Sequence, residues 1–174
     1  HKRCGADRFV MIGLCSGADK THIVSVAESR VVGAIFIDGY AYKSLLFYPI
    51  RFVSRLVQWK RIKVALRARW EKLVAIVKRQ AKESEPYRAV IPSPDRAKTE
   101  RELLMLMQRG VHQLHLFTIS TDYIYNYENQ FWHLYPSLPK DGIVSTERYA
   151  EADHTLSMRQ MQLIFIDRIC RWME

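Results

Sequence analysis

Cysteine is scarce in this chain. There are three in 174 residues, Cys4, Cys15 and Cys170, far apart and with no C-x-x-C among them. An odd, dispersed set builds no disulfide framework and lacks the paired spacing of a zinc site, so a reducing, cytoplasmic setting is expected. Long apolar runs are missing as well. None approaches the roughly 20 residues that a membrane-crossing helix needs. The start, His1-Lys2-Arg3-Cys4-Gly5, has neither an initiator Met nor an apolar h-region, so no signal peptide is expected there. No internal repeat or low-complexity tract occurs. Acidic residues are outnumbered, 18 against 27 basic ones.

What remains describes a globular domain: 48% hydrophobic and 26% charged residues, in a length that suits one domain with a sizeable core. The basic surplus is local. Between Lys43 and Lys82 stand twelve Lys or Arg against a single acid, Glu71, a balance of +11 where the whole chain carries +9. The rest is therefore about −2.

The stretch from Arg8 to Asp19 organises the reading. Phe9, Val10, Met11 and Ile12 form a short apolar run that suits a strand buried on both faces. Gly13-Leu14-Cys15-Ser16-Gly17 follows, and then a helix is expected from about residue 18 to 29. A strand, G-x-nucleophile-x-G and a helix make a nucleophile elbow, whose sharp turn needs small residues two before and two after the nucleophile. Gly13 and Gly17 flank Cys15 in that way. Centring the motif on Ser16 would put Leu14 and Ala18 there instead.

Residues 31–37, Val-Val-Gly-Ala-Ile-Phe-Ile, suit a second buried strand ending at Asp38, which completes a right-handed βαβ unit of a parallel sheet. From 49 to 82 the period changes. Phe52, Leu56, Trp59, Ile62, Leu66, Trp70, Leu73 and Val77 follow helical steps, with the basic residues on the other faces. A loop holding Pro86, Pro92 and Pro94 comes next, then a helix over 97–108, a strand over 111–120, a short helix near 127–132, a strand over 143–149, a loop over 151–155 and an amphipathic helix over 158–173. The expected organisation is one α/β domain, mostly parallel in its sheet: 1–48 as elbow strand, helix and second strand, 49–96 as a basic helical insertion, and 97–174 as the remaining core.

Three residues then fall in a telling order. Cys15 follows the first strand, Asp122 the third, and His154 the fourth, each at the carboxyl end of a parallel strand where open α/β sheets carry their sites. Cys15 would attack an acyl carbonyl, His154 would move the proton, and an acid would hold the imidazole in its working tautomer. A thiol ionises more readily than a hydroxyl and needs less from its base. The spacing favours Asp122 as the acid, with Asp38 as the alternative and Glu128 as a weaker third. Of possible oxyanion donors, only the backbone N–H of Ser16 can be named. His22, His112, His115 and His133 are taken as structural. His112 and His115 have no thiol or acid nearby in sequence, so no metal site is expected.

On these residues the chain resembles the α/β-hydrolases. The resemblance is carried by Ile12-Gly13-Leu14-Cys15-Ser16-Gly17-Ala18, by Ile37-Asp38-Gly39-Tyr40-Ala41-Tyr42, by Tyr125-Asn126-Tyr127-Glu128-Asn129-Gln130 and by Ala152-Asp153-His154-Thr155. It is similar to the C-terminal two-thirds of the serine aminopeptidase-like hydrolases, and among them to hydrolases encoded beside bacterial exosortase and exopolysaccharide systems. The resemblance implies a cofactor-free esterase or thioesterase acting on a small or carrier-bound acyl substrate through an acyl-cysteine. Acyl transfer is an alternative.

The family has strands before its elbow that supply the second oxyanion donor, and losing one such donor typically costs about 100- to 1000-fold in rate. The resemblance therefore implies that this chain lacks an N-terminal segment, or that it self-associates along the open edge of its first strand. The family's cap corresponds to the insertion over 49–96, whose charge suits a solvated face or docking to an acidic carrier protein or an anionic surface. A rival reading follows, in which the domain binds such a partner without catalysis. No nucleic-acid recognition motif is present.

Overall fold

The computed structural model describes residues 5–56 and 94–174. Cys4, most of the basic insertion, its apolar stripe from Trp59 to Val77 and the loop through Pro92 lie outside the described residues. The chain divides into two compact units, one of residues 1–47 with 94–174 and one of 48–93. Of the second unit only residues 48–56 are described. They are helical, and the Ser54 hydroxyl donates back to the Ile50 carbonyl at 2.9 Å.

The first unit contains β1 (Phe9–Leu14), α1 (Ser16–Ala27), β2 (Val31–Ile37), α2 (Arg96–Gln108), β3 (His112–Thr118), a 3-10 turn (Ile119–Thr121), α3 (Gln130–Leu134), β4 (Val144–Tyr149) and α4 (Arg159–Met173). The four strands form one sheet in the order β1-β2-β3-β4, and every neighbouring pair is parallel. This is an α/β architecture. All four strands therefore end at the same rim. Leu14 lies beside Ile37, Ile37 beside Leu116, and Thr118 beside Tyr149.

β2 is a near-continuous apolar run because both its faces are covered, whereas β3 also buries Gln113 and His115. Ile35, Ile37, Leu114 and Leu116 pack with Met161 and Phe165 of α4. On the opposite face Ala34 and Phe36 meet Ala18 of α1 and Leu106 of α2, while Phe117 meets Leu103, Tyr125 and Phe131. β1 departs from the expectation of burial on both faces. Val10, Ile12 and Leu14, which alternate onto one face, are 45%, 56% and 39% exposed. β1 stands at the end of the sheet.

Helix α1 starts two residues before its expected position, because Cys15 itself caps it. The Cys15 carbonyl accepts from the N–H groups of Ala18 and Asp19 at 2.9 and 3.3 Å. The helix stops at Ala27, where Glu28 turns extended and grips Arg30 at 2.7 Å. Its buried side is largely polar: Asp19, Thr21, His22 and Ser25. The short helix expected near 127–132 forms at Gln130–Leu134 instead. The cause is the fully buried Gln130, whose amide donates to the carbonyls of Tyr42 and Ile124 and accepts from Asn126 N–H, holding 124–129 as a loop. The third strand ends at Thr118 rather than 120, and the 3-10 turn takes up the next three residues.

Candidate active site

Cys15 occupies the junction between β1 and α1. Its backbone has φ 58° and ψ −121°, a conformation that costs a non-glycine residue about 1–3 kcal/mol. Two neighbours fix that turn. The Cys15 N–H donates to the Ile37 carbonyl at 2.8 Å, which ties the junction to the end of β2. Gly13 allows β1 and the first turn of α1 to touch, since a Cβ there would sit 2.3 Å from the Gly17 carbonyl oxygen and 2.5 Å from Thr21 Oγ1. Gly17 is different: a Cβ on it would meet nothing within 4 Å. The sequence-based requirement for a small residue therefore holds sterically at Gly13 and not at Gly17. The thiol is partly accessible. Ser16 is the first helical residue, so its N–H has no acceptor within the helix and is available at the rim.

Asp38 is the next residue along from Ile37, and its φ of 51° is also left-handed. It is 3% exposed. Its carboxylate accepts three hydrogen bonds: Oδ1 from Thr118 N–H at 2.7 Å, and Oδ2 from the Thr118 hydroxyl at 2.7 Å and from His154 Nδ1 at 3.0 Å. The imidazole thus comes from the loop after β4, passes the end of β3 and reaches the end of β2. Its loop is held by the His154 N–H, which donates to Ser120 Oγ at 2.9 Å, and by Asp153, which accepts from Ser157 N–H and the hydroxyls of Ser157 and Thr155. Those donors, Ser157 above all, hold the Asp153 carboxyl below its ordinary pKa.

The carboxylate that meets the imidazole is Asp38, the alternative acid, and not Asp122. Asp122 is displaced from the end of β3 by the 3-10 turn, and its Oδ1 accepts from Arg148 Nη2 at 2.5 Å. Phe117 pairs with Arg148 in the sheet, so the guanidinium is delivered to that spot from β4. Glu128 lies exposed, and its backbone carbonyl accepts from the Tyr125 hydroxyl at 3.1 Å. The Cys15 backbone is thus tied to Ile37, the residue before Asp38, and His154 reaches Asp38 through its imidazole; among the described residues no hydrogen bond joins the Cys15 sulfur to His154. Thr118 and Arg148 were not singled out from sequence. A threonine at a strand end is a faint signal, and an arginine 26 residues from its acid gives none.

Three other histidines of the described residues have partners of their own. His22 Nε2 lies 2.9 Å from Glu102, an acid on α2 that sequence proximity does not reveal. His115 is buried and stacks on Phe36 with ring centroids 4.6 Å apart, and burial pushes its pKa down to about 3. Tyr127 links Ser44 at 2.7 Å to His133 Nδ1 at 3.0 Å. A cavity of about 10 Å³ lined by Ala18, His22, Tyr40, Thr99 and His115 among others has room for no more than a single water. It is too small for an acyl chain. Among the described residues no group of His, Cys, Asp or Glu is arranged to hold a metal ion, and no helix is long and apolar enough to cross a membrane.

Comparison with protein-family models, with curated proteins and with solved structures finds no match to this chain. The arrangement of the rim is accordingly the basis for any functional conclusion.

Proposed function

We propose that this chain is a thiol-dependent acyl hydrolase acting on an ester or thioester, with an α/β-hydrolase half-fold and a Cys15–His154–Asp38 triad. The observation that carries the reading is the left-handed backbone of Cys15 at the end of β1, tied through Ile37 to the strand end where the buried Asp38 meets the partly exposed His154. A glycine would fit that turn without strain. A thiol held there at a conformational cost suggests a use for the thiol.

The reaction would run in two steps. His154 Nε2 takes the Cys15 thiol proton, and the sulfur attacks the acyl carbonyl to form a thioester. The bond to the leaving alcohol or thiol breaks, and His154 Nε2–H gives the leaving group its proton. Water then attacks the acyl-cysteine, His154 Nε2 takes its proton, and the C–S bond breaks to release the acid as that proton returns to the Cys15 sulfur. The Ser16 N–H stabilises the oxyanion in each step. Asp38, as a carboxylate, can only accept. It keeps the imidazole proton on Nδ1 and so leaves Nε2 free as the base.

The test is an acyl-transfer burst with p-nitrophenyl acetate, followed by mass spectrometry of the trapped protein. One acetyl group per chain on the peptide holding Cys15, lost in Cys15→Ala and slowed in His154→Ala, is the expected result. A burst that survives Cys15→Ala overturns the reading. No labelling at all favours the rival, a domain that binds an acidic partner without catalysis.

A further inference from the structure

We propose that Thr118 is the positioning residue of the Asp38–His154 pair, and that its hydroxyl aims the Asp38 carboxylate so that the imidazole keeps its Nδ1–H tautomer. The proposal deepens the acyl-hydrolase reading and rests on it for its kinetic consequence. The tautomer itself can be measured with no substrate present.

The argument is one of proton bookkeeping at a single oxygen. Thr118 Oγ1 lies 3.2 Å from the Ser120 backbone nitrogen and 2.7 Å from Asp38 Oδ2. The Ser120 N–H can only donate, so Oγ1 must accept there. The hydroxyl has one proton, and that proton is left for Asp38. Its rotor is thus set by a backbone amide in the 3-10 turn. The backbone N–H of the same residue holds Oδ1 at 2.7 Å. The carboxylate is therefore pinned at both oxygens by one residue, with its plane fixed. The acceptor direction that remains on Oδ2 meets His154 Nδ1 at 3.0 Å.

The backbone supports this geometry. Asp38 N–H donates to the Leu116 carbonyl at 2.9 Å, which extends the β2–β3 ladder by one step and sets Asp38 opposite the end of β3. Ser120 completes the arrangement from the other side, because its hydroxyl oxygen accepts the His154 N–H at 2.9 Å. A two-residue step along the chain, from 118 to 120, thus fixes the acid with one side chain and the histidine backbone with the next. Thr118 is itself fully buried, so no water can stand in for its hydroxyl without a rearrangement.

The test compares Thr118→Val, which keeps the shape and removes the hydroxyl, with Thr118→Ser, which keeps the hydroxyl. The readout is the tautomer of His154 from its ring ¹⁵N shifts, with circular dichroism as the check on folding. Wild type and Thr118→Ser are expected to show one Nδ1–H form. Thr118→Val frees Oδ2 to turn from the ring and is expected to show a mixture of Nδ1–H and Nε2–H, with cysteine acylation slower by about tenfold or more, the worth of a hydrogen bond to a charged group. A folded Thr118→Val protein that keeps the pure Nδ1–H form overturns the proposal. If the valine variant does not fold, the proposal is decided by the other two proteins: an Nε2–H form in wild type, or a mixture in folded Thr118→Ser, overturns it. A correct tautomer pattern without any acylation would leave the positioning role standing and remove the catalytic reading instead.

Discussion

Replacing Asp38 by asparagine separates this site from its nearest rival, because Asp122→Asn makes the same chemical change at a residue of the same type. Three donors converge on the Asp38 carboxylate, which is 3% exposed. An amide has one acceptor oxygen and one NH₂. With the oxygen toward Thr118 Oγ1 and His154, the NH₂ faces the Thr118 N–H, and one buried donor is left unsatisfied at a cost of about 1–3 kcal/mol. With the amide reversed, the NH₂ faces His154 Nδ1 and favours the tautomer with its proton on Nε2, which removes the base. Both orientations therefore lower activity, by different routes. In serine triads this exchange costs about 10⁴ in kcat. A cysteine asks less of its base, so a loss of at least about 100-fold in acylation is expected here. Asp122→Asn should behave otherwise. Its side chain is 41% exposed and makes a single bond to Arg148, which an amide oxygen can still accept. The expected stability change is under about 1 kcal/mol, and acylation should be unchanged. Single-turnover acylation of both variants, with urea unfolding alongside, decides the matter. Loss of acylation in a stable Asp122→Asn protein, together with near-normal rates in Asp38→Asn, would refute the assignment of the acid.

Two further outcomes follow from the same geometry. Gly13→Ala should destabilise by about 3 kcal/mol or prevent folding, because its Cβ would lie 2.3 Å from backbone that has no flexible end to move. Gly17→Ala should be tolerated, with a gain of up to about 1 kcal/mol from helix propensity, and equal losses at the two positions in urea unfolding would count against the elbow geometry described. His115 gives a pH signature. Its pKa of about 3 lies below the ordinary value of 6.5, so it stays neutral in the fold while the unfolded chain gains a proton as pH falls below 6.5. Stability is thus lost through the window from pH 6.5 to about 3, amounting to roughly 2–3 kcal/mol by pH 4.5. His115→Phe, which keeps the stack on Phe36, should unfold with a shallower acid dependence. Parallel curves from pH 7 to 4.5 would mean that the imidazole is not the cause.

Periodicity and chain order made much of the architecture legible, and the limits of that reading have a common physical source. The apolar run at 31–37, the alternation within 111–120 and the stripe of α4 announce themselves, because a strand in a covered sheet or a helix with one buried side leaves a local pattern. The turn at Cys15 is legible for a similar reason, since Gly13 is adjacent in sequence to the atoms it must clear. The identity of the acid has no such local mark. Asp38 and Asp122 both follow an apolar strand in a parallel sheet, and each could face the histidine. What separates them is the β3–β4 register, which brings Arg148 beside Phe117 and occupies Asp122, and the 3-10 turn, which carries Asp122 off while leaving Thr118 at the rim. Both are long-range consequences of pairing. The buried polar side of α1 escaped the sequence for the same reason, since Asp19, Thr21 and Ser25 look like an exposed face until His22 finds Glu102 eighty residues away. The candidate site is assembled from such contacts. Its proposed nucleophile can be found by inspecting five consecutive residues, whereas the carboxylate that meets His154 is decided by Thr118 and Arg148, which bond the two aspartates.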